Sequence, residues 1–460
     1  MLFNKISDII HWKLGVYFMK KLEKNIYKLS WPIFIELLFF TLLGTVDTIM
    51  LSNYSDTAVG SVGIANRILF LFAIVVNVLA LGIGVVSAQY LGANQEQKAK
   101  DTVVTGVLGN FVLGIILSLI VMFFGRSFIH LIGTDDVFIE DATTYIKIVG
   151  FSLLFVSIRV GLSNAFRSFS HPKVVMMIMG VGNLVNVVVN AVLIYGLFGA
   201  PSLGVQGAAI GTLVARIVMV LLLIYYAYKL LKIKLHKLRF HVIQLRKILY
   251  VGIPGATENV MYNIAQVLIL FFINQISPEA VIAQSYIMLI LSYVFIFSFA
   301  LASGNSIIVG YYIGEKDYEV AFKHTFKTTK IAFILIIIIT GLLNVLAYPM
   351  IGLFTDNQVI TEMVRKVLVI AIFIEIGRAM NMIFIAALRS AGDTIFPVIM
   401  AVISMFGVAV LFTYILAIRL ELGIVGVFIA LSMDEIFRGM SMVCRWYQRK
   451  WMRIELIEAK

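Results

Sequence analysis

LGANQEQKA, residues 91–99, returns 222 positions later as IGEKDYEVA, residues 313–321. The same shift carries AFRS at Ala165 to ALRS at Ala387, and Pro32 with Glu36 to Pro254 with Glu258. LGVQG at Leu203 returns as LGIVG at Leu422, a shift of 219. One near-constant offset over most of the chain marks an internal duplication. Duplicated halves in a membrane protein are the usual build of a transporter, with the substrate pathway between them.

Composition places the halves in a membrane. A chain that is 61% hydrophobic and 13% charged has too little polar surface for a water-soluble protein of 460 residues. About twelve apolar stretches reach the ~20 residues that cross a bilayer as helix. They cover residues 31–51, 62–86, 103–125, 144–166, 174–197, 204–228, 248–274, 280–309, 331–354, 367–388, 395–418 and 422–444. Runs this long and unalternating exclude barrel strands, which are ~10 residues with a two-residue period. The expected fold is an all-α integral membrane protein of twelve transmembrane helices in two pseudo-symmetric six-helix bundles. The expected boundaries are an amphipathic cytoplasmic arm over 1–29, a first lobe over 30–230, a linker over 231–247, a second lobe over 248–447 and a cytoplasmic tail over 448–460.

The net charge of +12 reports topology and implies no nucleic-acid partner. The N-terminal arm, the even-numbered loops and the C-terminal tail hold about 27 of the 37 Lys and Arg, and the odd-numbered loops hold about four. The loop over 126–141 is acidic, with Asp135, Asp136, Glu140 and Asp141. The positive-inside rule then predicts both termini in the cytoplasm of a multi-pass protein of the bacterial inner membrane. The basic linker reads as an anchor beside anionic lipid. The arm mixes Ile9, Ile10, Trp12 and Val16 with Lys13, Lys20 and Lys21, the pattern of a helix lying on the inner surface. It shows no short apolar core followed by a small-residue cleavage site.

Several chemistries are excluded. Cys444 is alone, so neither an intrachain disulfide nor a thiolate metal cluster is expected. The histidines at 11, 130, 171, 236, 241 and 324 fall outside the span centres, so a haem or imidazole metal site within the membrane is not expected. No phosphate-cradling glycine loop ending in Lys-Ser/Thr is present, so any energy for transport must come from an ion gradient or a partner. No cofactor is expected beyond a coupling ion, H⁺ or Na⁺.

Ionisable residues within spans carry most of the functional signal, because each is costly to bury unless paired or functional. The acids are Glu36, Asp47, Glu258, Glu375, Asp434 and Glu435; the bases are Arg67, Lys147, Arg159, Arg216, Arg378 and Arg438. Glu375 with Arg378, and Glu435 with Arg438, are three apart and can pair on one helical face. Asp47 has no base within two helical turns and lies about 24 Å of helix from Trp31 at the 1.5 Å rise per residue. Asn186 and Asn190 share a face of the fifth span at the same depth, and Thr212 reaches that layer from the sixth. One carboxylate with amide and hydroxyl oxygens can hold a proton or a desolvated Na⁺. The alternative is an interhelical hydrogen-bond network without ion exchange. In the second half, Glu258 and Glu375 are placed to face one cavity and share a proton or cation.

Over nearly its whole length the chain resembles the multidrug and toxic compound extrusion transporters. The resemblance rests on Pro32 fifteen residues before Asp47, on SVGIANRI in the second span and on GANQEQKA after it. FRSFSHPK, LRSAGDTIFP and NLVNVVVNAVLIYG complete it. It implies a V-shaped pair of six-helix bundles that extrude organic, often cationic, compounds against H⁺ or Na⁺. By position Asp47 corresponds to the family's first-span acid, Asn186 to its fifth-span Asn and Thr212 to its sixth-span Thr. Glu258 and Glu375 correspond to the second-lobe acids. Asn190 stands where many first lobes carry Asp, and Ser-His-Pro replaces Gly-Asp-Thr after the fourth span, which puts a two-acid relay in the first lobe in doubt.

The expected function is therefore a secondary active exporter working as a monomer by alternating access. Phe34, Tyr262, Tyr286 and Tyr293 are candidate walls of the substrate cavity. The runner-up is a flippase for lipid or lipid-linked sugar, whose cavity should be basic; Arg67, Arg159 and Arg216 support it. No nucleophile–base constellation suggests an enzyme.

Overall fold

A backbone surrounded by lipid must satisfy its hydrogen bonds within each segment, so apolar runs of this length close into helices. The computed structural model describes residues 22–233, 239–352, 355 and 357–457. Most of the expected arm, part of the linker and the last three residues lie outside that set. The first half comprises α1 (Ile26–Ser52), α2 (Asp56–Gly92), α3 (Glu96–Leu131), α4 (Asp136–Phe151), α5 (Leu153–Ser168), α6 (Pro172–Tyr195) and α7 (Gly204–Leu230). The second comprises α8 (Val242–Asn274), α9 (Pro278–Gly314), α10 (Tyr318–Gly352), α11 (Gln358–Ser390), α12 (Ile395–Arg419) and α13 (Gly423–Tyr447). Pro32 and Pro254 both fall inside helices rather than at their starts. In α12 the hydrogen bonding widens to i→i+5 over Met405–Val410 and Tyr414–Arg419.

Ten of these helices are long and apolar enough to cross a membrane, and the bent pair α4–α5 makes an eleventh span. The twelfth, α13, has the length at 25 residues but carries several charges. Asp434, Glu435 and Arg438 on it are buried and pair with one another, which turns those charges away from lipid. Six spans per half follow, as the sequence predicts.

The expected single span over 144–166 is instead two helices meeting at 44° beside Ser152. Ser152 Oγ donates to Val149 O at 2.6 Å, a back-bond of the kind that bends helices. Ser118 of α3 serves both sides of the break: its Oγ donates to Phe151 O and accepts from the Leu154 amide, each at 3.1 Å. Gly114 makes room for this approach, since a Cβ there would lie 2.2 Å from Ser157 Oγ. Ser118→Ala strands both backbone groups. We expect it to cost about 1 kcal/mol, read as a lowered midpoint of thermal unfolding in detergent.

The two halves meet along a seam with two-fold regularity. Gln89 Nε2 donates to Ser390 O at 2.6 Å, and Tyr311 OH donates to Ser168 O at 2.5 Å. The offset of 222 converts one contact into the other. A Cβ on Gly92 would lie 2.1 Å from Tyr311 O, and a Cβ on its repeat, Gly314, would lie 2.0 Å from Gln89 O. Further along, a Cβ on Gly82 would lie 2.2 Å from Ile248 O, and one on its repeat, Gly304, would lie 2.3 Å from Ser30 Oγ and 3.0 Å from Ile26. Contacts this short to backbone oxygens admit only glycine. Lys24 closes the rim on Glu315 at 2.6 Å. The outermost of these contacts border the short loops at 93–95 and 315–317, the end that the charge bias assigns to the cytoplasm.

Candidate functional site

The first lobe assembles its polar site where α1, α6 and α7 converge. Gly207 and Gly211 let α7 lie against α6: added Cβ atoms would sit 2.6 Å from Leu193 O and 1.9 Å from Asn190 Oδ1. That approach brings all four expected residues into one chain. Asn190 Nδ2 donates to Asp47 Oδ1 at 2.7 Å and to Asn186 Oδ1 at 3.1 Å, and Asn186 Nδ2 reaches Thr212 Oγ1 at 3.5 Å. Asn186, Asn190 and Thr212 are buried and Asp47 is half-buried. Asn190 Oδ1 is buried without a hydrogen-bond partner among the described residues.

Arg216 of α7 approaches Asp47 closely enough to act on it electrostatically, yet its hydrogen bonds go elsewhere. One nitrogen donates to Ser152 Oγ and to Val149 O, the latter at 3.5 Å, so the guanidinium is seated in the break between α4 and α5. Tyr145 of α4, buried, completes this shell beside Thr212 and Asn66. Among the described residues Asp47 forms no ion pair; its recorded partner is a neutral amide. The break, Tyr145 and Gly211 escape sequence reading. Only the repeated glycines at 204, 207 and 211 hint at a close helix contact.

The second lobe is arranged differently. Glu258 pairs with Arg389, and Glu375 with Arg378. Among the described residues no hydrogen bond or ion pair joins Glu258 to Glu375. The acids that share a cavity are Asp434 and Glu435: with Tyr262, Gln266, Arg378 and Arg438 they line a space of about 20 Å³, enough for one water-sized occupant. Arg438 contacts Asp434 at 2.6 Å and Glu435 at 3.0 Å, Arg378 reaches Glu435 at 3.5 Å, and Asn381 donates to Glu435 at 3.2 Å. Of the other expected wall residues, Phe34 meets Phe297 across the seam with ring centroids 4.2 Å apart and planes tilted by 32°, Tyr286 packs on the second-half core and Tyr293 is exposed.

The pairing of Glu258 has a twin. Glu36 accepts from Arg167 at 2.7 Å, and the offset of 222 carries Glu36 to Glu258 and Arg167 to Arg389. These are framework ion pairs written once per half. The same offset carries Asp47 to Ile269, Glu375 back to Leu153 and Arg378 back to Val156, so these three groups belong to one lobe each. Both pairs are largely buried, and removing one partner of such a pair costs about 3–5 kcal/mol. Arg167→Ala and Arg389→Ala should each destabilise by that order. The doubly neutral Glu36→Gln, Arg167→Gln chain should lose less, as a double-mutant cycle on thermal unfolding will show.

The chain and its fold have counterparts among known proteins. The MatE family matches residues 32–192 and again residues 254–415, once in each half. The chain belongs to the MatE family. Among curated MatE-like proteins, the uncharacterized transporter YisQ of Bacillus subtilis is 33% identical over 93% of this chain and 95% of its own length. A probable multidrug resistance protein NorM of Thermotoga maritima is 25% identical over 94% and 93%. The multidrug resistance protein NorM of Vibrio cholerae is 29% identical over 81% and 83%. A solved outward-facing multidrug resistance MATE family transporter superposes with a TM-score of 0.84 at 21% identity, covering 92% of this chain and 95% of that one. The fold is thereby shared over 92% of the chain, and a family of transporters is the setting for the polar sites.

Proposed function

We propose that the protein is a secondary active exporter that moves organic compounds out of the cell against an inward flow of H⁺ or Na⁺, by alternating access of its two lobes. The observation that carries this reading is Asp47: a half-buried carboxylate that forms no ion pair among the described residues, bonded to Asn190, whose Oδ1 has no partner among them, and linked through Asn186 to the Thr212 hydroxyl. Oxygens so disposed accept a proton or a hard monovalent cation, and an unpaired acid within a membrane is costly unless it does so. In the second lobe the candidates for a share of the coupling are Glu375, held by Arg378, and Glu258, whose pairing with Arg389 would have to open as the lobes rearrange. The excess of acids over bases in the second lobe's interior favours lipophilic cations as substrates.

The protein works as a monomer in the bacterial inner membrane, with both termini in the cytoplasm; the bias of Lys and Arg toward alternate loops supports that orientation. In this orientation the seam closes the cytoplasmic end. The test is efflux of a fluorescent lipophilic cation from sealed vesicles under an imposed pH gradient or, separately, a Na⁺ gradient. Efflux under one gradient names the ion. No efflux under either, with folded protein, overturns the antiporter and makes translocation of labelled lipid the next assay.

A further inference from the structure

The first lobe contains a line of donors that the coupling site does not use. Arg159, Ser163 and Arg167 follow at intervals of four on α5, which places them on one helical face. The recorded partner of the half-buried Arg159 guanidinium is Met179 Sδ at 3.7 Å, and a thioether is a weak acceptor for a group with five N–H donors. Ser163 Oγ, on a residue 2% exposed, has no hydrogen-bond partner among the described residues. Arg167 spends one terminal nitrogen on Glu36, while its buried Nε has no hydrogen-bond partner among the described residues.

Charge balance points the same way. The interior of the first lobe sets Arg159, Arg167 and Arg216 against Glu36 and Asp47. The interior of the second sets Arg378, Arg389 and Arg438 against Glu258, Glu375, Asp434 and Glu435. One lobe is a positive charge in excess and the other a negative charge. The repeat position of Arg159 is Asn381, which donates to Glu435, so this arginine is particular to the first half; the acid that acts on it is Glu36, which is already bonded to Arg167.

We propose that the Arg159–Ser163–Arg167 face binds the anionic group, carboxylate or phosphate, of an amphipathic substrate. A guanidinium fork, a hydroxyl and a second guanidinium N–H along one face suit two or three oxygens of one group. Substrates that also carry a positive charge then lie with the anion in the first lobe and the cation toward the acidic second lobe. The assignment rests on the export reading and adds a substrate class to it.

Equilibrium dialysis of the purified full chain against naphthylacetate and its uncharged amide tests it, with a short-chain phosphatidate as competitor. The wild type is expected to hold the acid at least about tenfold more tightly than the amide, the worth of a charge-assisted hydrogen bond. Arg159→Gln should remove that preference while leaving amide binding in place. Arg159→Lys should keep part of it, and Ser163→Ala should lower it by a smaller factor. Arg159 forms no ion pair among the described residues but feels the Glu36 carboxylate, so Arg159→Gln should move the thermal midpoint little; if it fails to fold, Arg159→Lys and Ser163→Ala carry the test. Displacement of the acid by phosphatidate identifies a lipid phosphate as the natural anion, and no displacement identifies an organic acid. Equal wild-type affinity for acid and amide, or a preference that survives Arg159→Gln, overturns the site. Anion binding without flux under any gradient keeps the site and overturns export instead.

Discussion

Vesicles carrying Asp47→Asn are expected to lose gradient-driven efflux down to the level of empty vesicles, with the protein still folded. The substitution keeps the shape of the side chain and leaves an amide oxygen to accept from Asn190 Nδ2, so the chain through Asn186 to Thr212 survives. What disappears is the ability to alternate between a charged and a neutral state, or to balance a bound cation. The stability cost should stay near 1 kcal/mol, the difference between a charge-assisted and a neutral hydrogen bond. A midpoint of unfolding close to wild type beside absent coupled efflux is the expected pair of results. Coupled efflux that persists in Asp47→Asn would place the ion elsewhere, and Glu258→Gln and Glu375→Gln would then decide between the remaining acids.

The second large effect concerns the balance between lobe arrangements. Replacing Gly92 and Gly314 together by alanine puts two methyl groups about 2 Å from the carbonyl oxygens of Tyr311 and Gln89. Backbone oxygens cannot swing aside as a side chain would, so the helices must separate. Overpacking of this kind costs about 1–3 kcal/mol per site, enough for the pair to shift the equilibrium away from the closed seam tenfold or more. Spin labels placed on either side of the seam read the change as a longer distance. The background should be Cys444→Ser, since that exposed thiol would otherwise be labelled too. An unchanged distance distribution would show that the seam tolerates what its spacing forbids.

Which features the sequence revealed follows from the range of the interactions involved. Helices announced themselves because lipid demands long apolar runs, and the duplication because both halves kept the same turns. The pairings of Glu375 with Arg378 and Glu435 with Arg438 were readable because they lie three apart on one helix. Asp47, Asn186, Asn190 and Thr212 could be grouped by depth, since each sits a countable number of turns from a helix end. The partners of Glu36 and Glu258 stand 131 residues away in both cases, beyond any local rule. A signal was nevertheless present: an acid and an arginine that both recur at the offset of 222 invite pairing with each other. The break at Ser152 left no proline or charge to mark it. Its stabilising contacts come from Ser118 on α3 and Arg216 on α7, which only the folded lobe brings near. The widened turns of α12 had no sequence marker at all.

Because each half contains six spans, an even number, both halves enter the membrane from the same side and are related by an axis along its normal. The seam across that axis is then an isologous interface: Gln89 gives to the other half what Tyr311 receives the chance to give back, and each glycine accepts its opposite number's backbone. Nothing in those contacts requires the halves to be covalently joined. Two separately expressed polypeptides, cut within 234–238, carry complete and complementary surfaces. Two copies of the first half alone could meet through Gln89 and Ser168 in the same geometry. The joined chain is in this sense a fused homodimer whose two protomers kept their mating surface and let their interiors drift to opposite charge.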